Sequence, residues 1–99
     1  MTKSAIKLLL VEDSKLALTI LQRLLSNSPD ISVVGTATNG KKALELIPQL
    51  QPDVICTDLK MEGMNGLELT QAIMQKFPRP ILVISNAVNK NDTDNVFNL

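Results

Sequence analysis

Glu12 and Asp13 follow the apolar run IKLLLV, Asp58 stops the run that begins at Val54, and Ser85 closes ILVIS. If these runs are neighbouring parallel strands, their ends meet at one rim, and ligands of open α/β sheets bind outside that rim. Three carboxylates brought so close repel one another unless a cation or protons intervene. All-oxygen ligation by a few carboxylates suits Mg²⁺, which keeps several waters and bridges to phosphate oxygens. A carboxylate also serves as a nucleophile toward phosphoryl groups, forming an aspartyl phosphate. The Ser85 hydroxyl is able to bond a phosphoryl oxygen. Each group has a plainer reading beside this one. Asp58 and Ser85 suit turns, and an acidic pair before a helix complements its dipole.

The elements that must position these groups alternate along the chain. Ile6 to Val11 reads as a buried strand, nearly continuous in apolar residues as parallel sheets require. Ser14 is a plausible helix cap. Leu16, Ala17, Ile20, Leu21, Leu24 and Leu25 then recur at helical spacing until SNSPD stops the helix. The β-branched stretch Ile31 to Ala37 predicts a second strand. Asn39-Gly40 turns the chain into a second helix from Lys41 to about Leu50, with Ala43, Leu44 and Ile47 inward and Pro48 expected to end or distort its last turn. Asp53 to Thr57 reads as the third strand, Gly66 opens a third helix (GLELTQAIMQKF), and Ile81 to Ser85 reads as the fourth strand behind Pro78 and Pro80. A fourth helix is expected from about Asn89. The order β-α-β-α-β-α-β implies an α/β, doubly wound parallel sheet with right-handed crossovers and helices on both faces.

Composition removes several alternatives. The chain has 99 residues, 44% of them hydrophobic, which supports one small packed domain. Ten basic and ten acidic residues cancel, so nothing draws it to nucleic acid or to an anionic membrane. The absence of histidine excludes Ser-His-Asp and Cys-His nucleophile systems and a phosphohistidine carrier. One cysteine, Cys56, makes no internal disulfide and reads as core packing in a reduced, cytoplasmic setting. Met61 and Met64 read as gap-filling loop residues, and Lys41-Lys42 as a solvated helix face. No G-x-G-x-x-G follows the first strand, which argues against a dinucleotide fold. Lys60 stands where aspartate-nucleophile phosphatases carry a second aspartate.

The segments LLLVEDS, NGKKALELI, PDVICTDLKMEGMNGLEL and RPILVIS resemble the receiver domain of bacterial response regulators, and the resemblance covers residues 1–99. SPDISVVGTATNGKKALELIPQLQPDVICTDLKM is most similar to the receivers of chemotaxis protein-glutamate methylesterases. The resemblance implies a flavodoxin-like sheet of strand order 2-1-3-4. It makes Asp58 the phosphoacceptor, Glu12 and Asp13 the acidic pair of a Mg²⁺ site, the Lys60 backbone carbonyl a further ligand, and Ser85 the switch hydroxyl. It further implies a chemotaxis-type sensor histidine kinase as partner and a methylesterase output domain outside this chain, so that the 99 residues are themselves no enzyme.

Three departures from the family pattern stand out. Glu12 replaces the more usual aspartate, and Glu62 and Asn65 replace proline and aspartate of M-P-x-M-D-G. The family's fifth strand, with a lysine at its end, has no counterpart before Leu99. That last departure supports a second expectation, from a different class: a phosphorylation-impaired interaction module that forms a homodimer through an exposed fourth strand, by pairing or by domain swapping. Oligomer mass separates the two.

Overall fold

The computed structural model describes residues 4–61 and 63–84. Strands β1 (Ile6–Val11), β2 (Ile31–Ala37), β3 (Val54–Asp58) and β4 (Ile81–Ile84) alternate with helices α1 (Lys15–Leu25), α2 (Gly40–Leu50) and α3 (Gly66–Lys76). The strands form one parallel sheet in the order β2-β1-β3-β4, as the resemblance implied. Every strand leaves the sheet at the same rim, and every described helix begins there. Each start carries a polar cap: Ser14 Oγ accepts from Ala17 N–H at 3.2 Å, Asn39 Oδ1 from Lys42 N–H at 2.7 Å, and Asn65 Oδ1 from Glu68 N–H at 2.8 Å. Glu68 returns the bond to the Asn65 N–H, completing a capping box on α3.

Alternation of side chains divides the core between the two faces of the sheet. Leu9, Val11 and Ile55 pack with Ala43, Ile47, Leu69 and Ile73 of α2 and α3. Leu8, Leu10 and Cys56 pack with Leu18 of α1, and Leu21 and Leu25 lie against that cluster. The helices therefore cover both faces.

Two sequence expectations, on α1 and β3, need correction. On α1 the inward residues are Leu18, Leu21 and Leu25, while Leu16 and Leu24 are 71% and 66% exposed and Ile20 is also exposed. The apolar arc of this helix is wider than its contact with the sheet, so spacing alone found Leu21 and Leu25 but also took in Leu16, Ile20 and Leu24 and left out Leu18. α2 runs two residues past Pro48 and ends at Leu50, where the sequence placed its end. The proline falls in the last turn, where closure is taken over beyond it: Gln51 N–H donates to Ile47 O at 2.8 Å, its side chain donates to Pro48 O at 3.0 Å, and its left-handed backbone (φ 50°) turns the chain away. Finally, β3 starts at Val54 and includes Asp58, one residue later than expected at each end. Asp53 precedes the ladder and brackets it, its N–H donating to Lys7 O and its carboxylate accepting from Lys7 N–H, each at 2.8 Å. Ser85 and the expected fourth helix lie outside the described residues. Among the described residues, no helix is long and apolar enough to cross a membrane.

Candidate functional site

The site follows from strand register. Val11 lies opposite Thr57 in the β1–β3 ladder, so the next residue of each chain, Glu12 and Asp58, face each other at the rim. Glu12 N–H donates to Ala37 O at 2.9 Å, which holds the end of β1 against β2. On the other side Asp58 pairs with Ile84, and Leu59 N–H donates to Ile84 O at 3.0 Å. Asp58 thus sits in the middle of the sheet, anchored on both flanks.

Carboxylate oxygens of Glu12, Asp13 and Asp58 all lie within 4.8 Å of one another. Glu12 and Asp58 are buried, 4% and 5% exposed, while Asp13 faces solvent. Burial pushes the Glu12 carboxyl above its ordinary value of 4.5, and its neighbours Asp13 and Asp58 push the same way; the Ser14 N–H, donating to Glu12 Oε1 at 3.1 Å, opposes them. Burial likewise raises the Cys56 thiol, with a smaller push from Glu12. That fits a core thiol, not a reactive one. An open depression lined by Asp13, Lys60, Met61 and Asn65 lies at the exposed member of the cluster. Two buried carboxylates and an exposed third form a donor set suited to a hard divalent ion.

Comparison with known proteins agrees with this fold. The response regulator receiver domain family matches residues 8–99. The chain belongs to this family. The receiver is 44% identical over 84 residues, 85% of its length, to a protein-glutamate methylesterase/protein-glutamine glutaminase of Methanospirillum hungatei, covering 24% of that protein. It is 40% identical over 92 residues, 93% of its length, to one from Geobacter metallireducens, covering 26% of it. The receiver therefore spans about a quarter of the length of these curated relatives. Among solved structures, the response regulator domain of Thermotoga maritima CheB superposes with a TM-score of 0.80 at 32% identity, over 94% of this chain and 69% of that one. The expected resemblance to receivers of the methylesterase type is thus met.

Of the residues singled out from sequence, Glu12, Asp13 and Asp58 converge, and Lys60 lines the mouth of the site two residues beyond Asp58. Ser85 lies outside the described residues. Thr57 and Gly66 were read from sequence only as a strand end and a helix start, not as parts of the site. Thr57 is buried beside Asp58 and donates its hydroxyl to the Asp58 carbonyl at 3.1 Å, with Met61 Sδ at 4.0 Å. Gly66 opens α3 directly against the Asp58–Leu59 backbone. The available signal was weak: a glycine immediately after the cap residue Asn65, which by itself says only that a helix starts.

Proposed function

We propose that the receiver accepts a phosphoryl group on Asp58 from the phosphohistidine of a sensor histidine kinase of the chemotaxis type. A carboxylate oxygen of Asp58 forms the new bond to phosphorus as the donor's N–P bond breaks, and the imidazole keeps the electron pair. The supporting observation is the convergence of Glu12, Asp13 and Asp58 at the carboxyl rim of adjacent strands. Glu12, Asp13, Asp58 and the Lys60 carbonyl would hold Mg²⁺, which when bound offsets charge on the phosphoryl oxygens. The protein's own part is to keep Asp58 buried within the sheet, with Asp13, Lys60 and Asn65 lining an open depression at the rim. Ser85, placed by sequence at the end of the fourth strand, is the proposed hydroxyl that senses the phosphoryl group. The output under control is proposed to be a protein-glutamate methylesterase domain, after the relatives' names, working in the cytoplasm.

The test is intact-protein mass after incubation with acetyl phosphate and Mg²⁺. Gain of one phosphoryl group by the parent and none by Asp58→Asn is expected. No gain in a sample shown to be folded overturns the proposal.

A second reading rests on β4, the edge of the described strand order, where Leu82 is 57% exposed. Leu82 and Ile84 also border an apolar hollow of about 270 Å³ with Leu21, Leu25 and Cys56. Such an edge suits pairing with a second copy of the chain. A monomeric mass at micromolar concentration removes that reading.

A further inference from the structure

Gly66 N–H donates to Leu59 O at 2.9 Å, folding the start of α3 back onto the residue that follows Asp58. A Cβ placed on Gly66 would press inside contact distance of the Asp58 carbonyl oxygen, and would lie 2.9 Å from Leu59 Cα and 3.1 Å from the Asp58 carbonyl carbon. All three are backbone atoms, so none can swing aside as a flexible side chain would. The same peptide is held from two further directions, by Leu59 N–H on Ile84 O and by the Thr57 hydroxyl on the Asp58 carbonyl. Any side chain at position 66 must therefore push α3 outward or displace the Asp58–Leu59 peptide.

We infer that Gly66 is a positioning residue for Asp58: its missing side chain lets the capped start of α3 seat against the Asp58–Leu59 peptide and fixes the Asp58 carboxylate relative to Glu12 and Asp13. The inference rests on the proposed phosphoacceptor role for its rate consequence, but not for its effect on metal binding. Gly63 provides a contrast within the same loop. Its φ of 76° strains any other residue, yet nothing lies within 4 Å of where its Cβ would be. Gly63 thus serves the turn, whereas Gly66 serves a close approach.

The experiment compares Gly66→Ala with Gly63→Ala by Mg²⁺ titration followed by NMR and by phosphorylation with acetyl phosphate at saturating Mg²⁺. Gly66→Ala is expected to weaken Mg²⁺ binding about tenfold, the scale on which displaced support for metal ligands acts. It is also expected to slow phosphorylation about tenfold or more at saturating Mg²⁺, as misplacement of a reacting group does. Gly63→Ala should lower the melting temperature without either change. Equal losses in both variants, or parental values in a folded Gly66→Ala, overturn the inference. Should Gly66→Ala not fold, Asn65→Ala, which removes the cap that seats α3, decides the matter: weaker Mg²⁺ binding supports the inference and unchanged binding overturns it. If the parent binds Mg²⁺ but takes no phosphoryl group, the phosphoacceptor role fails, and the titration alone still decides the role of Gly66.

Discussion

Asp53, the residue before β3, and Asp58, its last residue, lie five positions apart and do opposite things. Asp53 is exposed and satisfied: its carboxylate accepts the Lys7 N–H at 2.8 Å and its own N–H reaches Lys7 O. The arrangement continues the β1–β3 pairing past the last ladder residue, at the edge of solvent. Asp58 is buried between β1 and β4, with the carboxylates of Glu12 and Asp13 within 4.8 Å. One aspartate terminates a sheet. The other is buried beside two further carboxylates, a crowding of like groups that a bound cation would relieve. Residue type and strand-end position are shared, so the difference comes from what the sheet brings alongside.

That contrast is open to direct attack. Asp58→Asn should abolish phosphoryl gain from acetyl phosphate, whereas Asp53→Asn should leave it at the parental level; intact-protein mass reads both. Label retained in Asp58→Asn would move the acceptor elsewhere. Next in size, Glu12→Gln and Asp13→Asn should each weaken Mg²⁺ binding by about tenfold or more, since loss of support for metal ligands already acts on that scale. The metal-free forms of both variants should melt higher than the parent, because each removes one of three crowded charges. Parental Mg²⁺ affinity in either variant would remove that residue from the ligand set.

The pH dependence follows from Glu12. Its carboxyl is raised in the folded state, chiefly by burial. The folded protein therefore holds the Glu12 proton more tightly than the unfolded chain does. This contribution favours the fold fully below the ordinary value of 4.5 and is lost as pH rises through the raised value. Thermal melts of Asp58→Asn and of Glu12→Gln across pH 4 to 8 should show this loss in the first and not the second. Saturating Mg²⁺ should reverse the loss in the parent, since the ion replaces the proton. The smallest effect belongs to the other end of β3. Asp53→Ala leaves the Lys7 N–H without its carboxylate partner at a solvated edge, which should cost about 0.5–1.5 kcal/mol in a denaturant melt. Phosphorylation should not change.

Much of this was legible in the residues. Apolar runs, the Ser14 cap and the glycine turns placed the strands, the helix starts and the three carboxylates, because strand burial, capping and turning are local demands. Leu16 and Leu24 show where spacing stops being informative. They match the apolar period of α1 as well as Leu21 and Leu25 do, and only the position of the sheet decided which side of the arc was buried. Pro48 makes a related point: the chemistry of proline is local, but its consequence depended on Gln51 closing the turn beyond it.

The sequence by itself determined an alternating parallel α/β chain with acidic residues at the strand ends, and its motifs marked it as a receiver. Tertiary structure alone decided that Glu12 and Asp58 lie opposite in register, that both are buried, and that α3 presses on the Asp58 peptide where only glycine fits. The reason is physical. Local pattern sets which way a residue faces along its own strand, whereas the crowding of charges and the clash at position 66 exist only between segments that are distant in the chain.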